Sequence, residues 1–257
     1  MFANERYSEI LKQLKEKGAV TTAALVSMMG VSVETVRRDL LALEKLGKLQ
    51  RVHGGAVCIG EMKPFYDLHH RMEDNREAKA ELSAIAAQFV ENGDIIFIDA
   101  GSTAVFFARE VKSRLSKLTV VTYSLDVFDI LKSKEGIEVI LCAGSFMRGE
   151  NAFYGKLTVD VLRTLHVNKA FIFPSAISLN FGIRDFNQEL SAIQQCALGI
   201  SEQIFVLADS NKFEKKALLK LDDMNCAHTY ITDSGLSDEM QRMYAENGLN
   251  IVCKKGN

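Results

Sequence analysis

Apolar residues at Tyr7, Ile10, Leu11 and Leu14 fall at i, i+3, i+4 and i+7, the spacing of a one-faced helix with Asn4 as its cap and Gly18 as its end. A shorter helix is predicted from a Thr21/Thr22 cap through Leu25 and Met29, with Gly30 supplying the turn. Ser32 caps a third, with Glu34 in its first turn facing the positive end of the helix dipole. Its apolar set, Val33, Val36, Leu40 and Leu43, is predicted to face the two earlier helices, which leaves Thr35, Arg37 and Arg38 outward. Lys48 to Val52 then reads as a strand turning at His53-Gly54-Gly55, a Gly-Gly hairpin signal.

The pattern changes after this point. Residues 58–74, containing Pro64, read as a linker, and Leu82, Ile85, Ala86 and Phe89 then give a helix face. Beyond it, apolar runs at 95–98, 118–122, 137–142, 169–173, 204–208, 228–232 and 249–253 alternate with helical patterns. Short apolar strands separated by helices predict an α/β domain with a largely parallel sheet covered on both faces. The expected organisation is a winged helix-turn-helix over 1–57, the linker over 58–74 and a larger α/β domain over 75–257.

Charge sharpens this division. Residues 1–57 hold nine Lys/Arg against six Asp/Glu, whereas the rest of the chain holds 22 against 27, so a basic head is joined to an acidic body. The cysteines, at 58, 142, 196, 226 and 253, are scattered and odd in number, which reads as reduced thiols rather than disulfides or metal ligands. No signal peptide and no apolar run of membrane-spanning length is apparent, so a soluble cytoplasmic protein is expected, with no membrane association and no cofactor.

A small basic head with these three helices suits the major groove of double-stranded DNA, where the start of the third helix is the part that enters. Arg37 and Arg38 can bind guanine bidentately or clamp phosphates, and Ser32, Glu34 and Thr35 share their turn. Arg51 on the wing falls near phosphates; His53 is either a phosphate contact or a turn residue only. Asp39 is expected to orient an arginine, since a carboxylate beside phosphates is repelled.

In the body, polar turns follow the strands. Asp99-Ala100-Gly101-Ser102-Thr103 opens a helix and offers N–H groups and hydroxyls to an anion. Thr122-Tyr123-Ser124, Gly144-Ser145 and Asp209-Ser210-Asn211-Lys212-Phe213 end three others. Each turn alone reads equally as a helix cap; four converging with one lysine favour a phosphate-bearing ligand at the carboxyl ends of the strands. The expected ligand-binding set is Asp99, Gly101, Ser102, Thr103, Thr122, Ser124, Gly144 and Lys212.

Arg6, Ile10 and Leu14, the run Ser32 to Leu40 and the trailing Arg51-Val52-His53-Gly54-Gly55-Ala56 resemble the DeoR family of bacterial transcriptional regulators. The order D-x-G-S-T, T-x-S, A-G-S and A-D-S-N-K-F resembles that family's sensor domain, itself similar to sugar-phosphate isomerases of the ribose-5-phosphate type. The resemblance implies a repressor of carbohydrate genes, a phosphorylated sugar or related metabolite as effector, a homo-oligomer on two-fold DNA operators, and phosphate contacts at Ser102, Thr103 and Lys212. Tyr123 stands where the family commonly has asparagine and Ala143 where it has glycine. Pro174 to Ser178 carries no carboxylate where the isomerases have an acidic turn. Proton transfer between sugar carbons needs a positioned base, so binding rather than catalysis is expected. The alternatives are an isomerase with an accessory DNA-binding head, and a constitutive DNA-binding protein whose body only oligomerises.

Overall fold

The computed structural model describes residues 3–17, 19–46, 48–52, 54–57 and 68–254. The head begins with α1 (Ala3–Lys17), one residue before the expected cap, and β1 (Ala19–Thr21). In α2 (Thr22–Met29), Thr21 Oγ1 accepts from the Ala24 N–H at 3.0 Å, and Gly30 at φ +64° ends the helix. In α3 (Val33–Lys45), Ser32 Oγ accepts from the Thr35 N–H at 3.2 Å. Ile10 and Leu14 from α1, Leu25 from α2, and Val36, Leu40 and Leu43 from α3 are buried together with Val20, Leu49 and Ala56. Val33 does not join them: it stands at the first position of α3 and is 45% exposed, while Val36 in the same turn is fully buried. Buried Asp39 receives a fork from Arg6, Nε at 2.5 Å and Nη2 at 2.9 Å, which pins α1 to α3. The wing is a hairpin of β2 (Gln50–Val52) and β3 (Gly55–Val57), with β1 paired to the other side of β3.

The body is built on a sheet in the order β15-β14-β12-β9-β4-β5-β6, every pairing parallel. Its strands are β4 (Ile95–Ile98), β5 (Leu118–Thr122), β6 (Ile137–Leu141), β9 (Val167–Ile172), β12 (Ser201–Leu207), β14 (Thr229–Ile231) and β15 (Asn250–Val252). Successive residues of a strand point to opposite faces. Ile96, Ile98, Phe171, Phe205 and Leu207 therefore pack on α5 (Arg76–Ala86), α6 (Ser102–Arg114) and α7 (Leu125–Leu131). Phe97, Ala170, Ile172 and Val206 fill the other face, beneath α8 (Lys156–Leu162), α9 (Gln188–Gly199) and α10 (Asp238–Glu246). Rings of Phe107, Phe171 and Phe205 stack with centroids 4.4 and 4.9 Å apart.

Three features lie outside the expected pattern. Part of the stretch read as a linker is helical: α4 (Leu68–Glu73) packs on α6. A hairpin of β7 (Ser145–Met147) and β8 (Ala152–Tyr154) follows β6. A second antiparallel sheet joins β10 (Ala176–Ser178), β11 (Gly182–Asp185) and β13 (Leu219–Asp222). Around that sheet Ala176, Phe186, Ala217 and Leu218 form an apolar cluster, against which Ala19 and Val52 of the head pack.

Candidate functional site

On the head, Ser32, Glu34, Arg37 and Arg38 are exposed on the first two turns of α3, and Thr35 is half-buried. Ser32 and Thr35 hydroxyls bond each other at 2.9 Å, and Arg37 stands 3.9 Å from Glu34 in a loose pair. Arg51 on β2 is exposed, its N–H bonded to Glu44 at 2.8 Å; His53 lies outside the described residues. Asp39 orients an arginine as expected, but the partner is Arg6 rather than Arg37 or Arg38. Both arginines of the first two turns of α3 are thus outward, with Glu34 and Val33 exposed beside them.

In the body the site gathers at the carboxyl ends of β4, β9 and β12, three neighbours at the centre of the sheet. Here the chain order reverses, the place where open parallel sheets form a crevice. Gly101 ends the turn after β4 at φ +117° and ψ 178°, a conformation essentially closed to residues with a Cβ. It also stands at the N-cap of α6, so no side chain caps that helix, and Ser102 and Thr103 are buried in its first turn. Uncapped N–H groups and the helix dipole make this end receptive to negative charge.

Lys212 approaches from the 3-10 turn Ser210–Lys212 after β12, its Nζ donating to the Pro174 carbonyl at 2.8 Å. Two further cations join it that the sequence did not single out. Arg71 on α4 pairs with buried Glu150, and a Cβ at Gly101 would lie 3.7 Å from its Nη1. Lys79 on α5 is buried and donates to the carbonyls of Arg71 and Asp74, holding the end of α4. Burial, aided by the charge of Lys212, lowers the Lys79 ammonium to about 8, and burial holds Lys212 below its ordinary value against the pull of Asp209 and Asp185. Burial also raises Glu150, with Arg71 opposing.

The other expected ligands divide. Asp99 is wholly buried and accepts from Tyr123 Oη, the Ala100 N–H at 2.8 Å, the Phe173 N–H at 3.0 Å and Gln194 Nε2 at 2.8 Å. Its oxygens are committed to the protein, and burial nonetheless pushes the carboxyl up to about 6. Thr122 Oγ1 accepts from the Ser124 N–H at 3.1 Å, and Ser124 caps α7 through the Val127 N–H at 3.4 Å, so both serve the turn itself. Gly144 is needed for packing: a Cβ there would meet Thr158 Oγ1 at 2.2 Å and the Tyr154 carbonyl at 2.5 Å. The structure therefore brings together Gly101, Ser102, Thr103 and Lys212 with Arg71 and Lys79, around a frame built on Asp99. A carboxylate missing from Pro174 to Ser178 is present in space as Asp185. Both of its oxygens are engaged, by Ser175 Oγ at 2.8 Å and the Phe186 N–H at 2.7 Å on one side and Gln194 at 3.3 Å on the other.

Among the described residues no group of three or more His, Cys, Asp or Glu could hold a metal ion, and no helix is long and apolar enough to cross a membrane. Residues 6–61 match the DeoR-like helix-turn-helix domain, and residues 74–234 match the DeoR C terminal sensor domain. The lactose phosphotransferase system repressor of Lactococcus lactis is 34% identical over 241 residues, 93% of this chain and 94% of that protein. The L-fucose operon activator of Haemophilus influenzae is 31% identical over 251 residues, 97% and 99% of the two chains. Among solved structures, ribose 5-phosphate isomerase A of Methanocaldococcus jannaschii is 18% identical with a TM-score of 0.41 over 56% of each chain, a likeness too distant to bear on function. With both domain models and relatives of nearly equal length agreeing, the chain belongs to the DeoR family of DNA-binding transcriptional regulators.

Proposed function

We propose that the protein is a cytoplasmic repressor of carbohydrate-metabolism genes, released from or retained on its operator by a phosphorylated sugar bound in the body. The observation that carries this reading is that Arg71 reaches Gly101 at the uncapped start of α6, with Lys79 and Lys212 close enough to feel its charge. A phosphate dianion there gains charge-assisted bonds and the helix dipole together. The repressor sense follows relatives named for repression of lactose phosphotransferase and aga operons, against one named as an activator. Arg37 and Arg38 carry the DNA contacts, and a homo-oligomer presents two heads to a two-fold operator.

The test combines two titrations of the full chain. A panel of sugar phosphates is screened by thermal shift, since a ligand of the folded state stabilises it by mass action. Hits are then added to an operator duplex obtained by selection from randomised DNA. Coupling of binding sites is typically about 5- to 150-fold in affinity. A hit is expected to change operator affinity within that range, and Lys212→Ala is expected to abolish the change while sparing ligand-free DNA binding. No response to any sugar phosphate overturns the effector assignment.

The body performs no isomerisation under this reading, because residues 174–178 carry no carboxylate and Asp185 is held by Ser175, the Phe186 N–H and Gln194. Incubation with pentose and hexose phosphates is expected to give no turnover above a Lys212→Ala control.

A further inference from the structure

Val33 was expected in the head's core and is instead 45% exposed at the first helical position of α3. Nothing in the fold asks for a branched apolar residue there. It joins no buried cluster, and β-branched residues are poor helix formers for which any polar residue would substitute without loss. The polar groups beside it are already used. Ser32 Oγ and Thr35 Oγ1 bond each other, Ser32 also holds the Thr35 N–H, and Glu34 faces Arg37. One turn further along the same stripe stands Arg37, and Arg38 beside it has no ion-pair partner among the described residues. At the leading end of the helix, the face read as meeting DNA thus combines cations with the exposed methyl groups of Val33, beside the half-buried Thr35 whose hydroxyl is bonded to Ser32. Leu41, the next apolar residue on that stripe, lies about 12 Å back along the axis, too far to address the same base pair.

The major-groove edge of a base pair carries one apolar feature, the C5-methyl of thymine. We propose that Val33 reads a thymine methyl in the operator, so that α3 specifies sequence by an apolar contact as well as through its arginines. The proposal rests on the reading of α3 as the helix that enters the groove. Charge complementarity of Arg37 and Arg38 with the flanking phosphates supplies the register that brings Val33 against a base edge.

The experiment uses the full-length protein and an operator selected from randomised duplex DNA. Each thymine is replaced in turn by deoxyuridine, which removes the C5-methyl and keeps the base pairing, and affinity is read by fluorescence anisotropy for the parent and for Val33→Ala. At one position in each half-site, uracil is expected to weaken the parent about fourfold, the worth of one buried methyl group, and to leave Val33→Ala unchanged. The variant should nearly retain the parent's unfolding temperature, since the side chain joins no buried cluster. Uracil costing both proteins equally at every thymine overturns the assignment of Val33 alone, because the selected operator itself shows that the head reads sequence. If selection enriches no sequence, the reading of α3 fails and the assignment of Val33 fails with it.

Discussion

Tyr123 sits wholly buried with its hydroxyl donating to Asp99, in a stretch that read from the chain as a polar strand-end turn. Tyr123→Phe leaves that oxygen of Asp99 with the Ala100 N–H alone, and a buried acceptor deprived of a donor costs about 1 to 3 kcal/mol. Urea unfolding monitored by circular dichroism is expected to show the loss. Lys79 gives a prediction in pH. Its ammonium titrates near 8 in the folded protein and near the ordinary 10.4 in the unfolded chain, so between these values the unfolded state holds more protons. The contribution of Lys79 to stability therefore rises with pH across that window. The affinity for an anion falls across the same window as the positive charge is lost. Calorimetric titration of the best sugar phosphate at pH 7 and pH 9 is expected to weaken more for the parent than for Lys79→Met; equal pH steps would remove Lys79 from the site. Arg71 and Lys79 belong to no strand-end turn and so were not legible, and Asp185 ends β11, a strand that was itself not legible. A lysine or arginine on a helix of alternating charge looks like solvated surface until the fold buries it.

At the scale of elements, all seven strands of the parallel sheet were legible, because short runs rich in apolar and β-branched residues recur between helical patterns. The hairpin β7–β8 and the sheet β10-β11-β13 were not, since their short strands mix polar and apolar residues and no helical pattern separates β7 from β8 or β10 from β11. Val33 was misplaced for a related reason. Periodicity assigns a residue to a helix face but not to the length over which that face is covered, and the first residue of α3 lies outside the cluster that buries Val36. The D-x-G-S-T motif was legible as a strand-to-helix turn, while its division of labour was not. Gly101 makes the turn, Asp99 anchors it, and only the start of α6 is left open. Gly101→Ala forces a Cβ into a backbone region essentially restricted to glycine, at a cost of about 1 to 3 kcal/mol. The expected result is a lower denaturation midpoint together with loss of the thermal shift from sugar phosphate, and a variant that binds ligand normally would show that the turn does not form the site.

For the whole molecule, the small sheet stands between the two functions. Ser175 and Asp185 bond each other beside the body's site, while their immediate neighbours Ala176 and Phe186 belong to the apolar cluster on which Ala19 and Val52 of the head pack. Lys212 holds the Pro174 carbonyl at the start of the same strand pair. Leu218→Ser weakens that cluster without touching the ligand groups. It is expected to keep both the thermal shift from sugar phosphate and ligand-free DNA affinity while reducing the effect of one on the other, measured by anisotropy with and without ligand; undiminished coupling would place the route elsewhere. The sheet order has a further consequence, for synthesis. Every contact within the head's core lies in the first 57 residues, whereas β4 must wait for β9, pairing Ile96 with Lys169, and β9 in turn for β12. Local contacts form fast and non-local parallel pairings slowly, and chains fold from the N-terminus as they emerge. On the ribosome, the head is expected to be folded while the body still lacks the strands that frame its site, so each newly made molecule has its DNA-facing helix in place before it can answer to a metabolite.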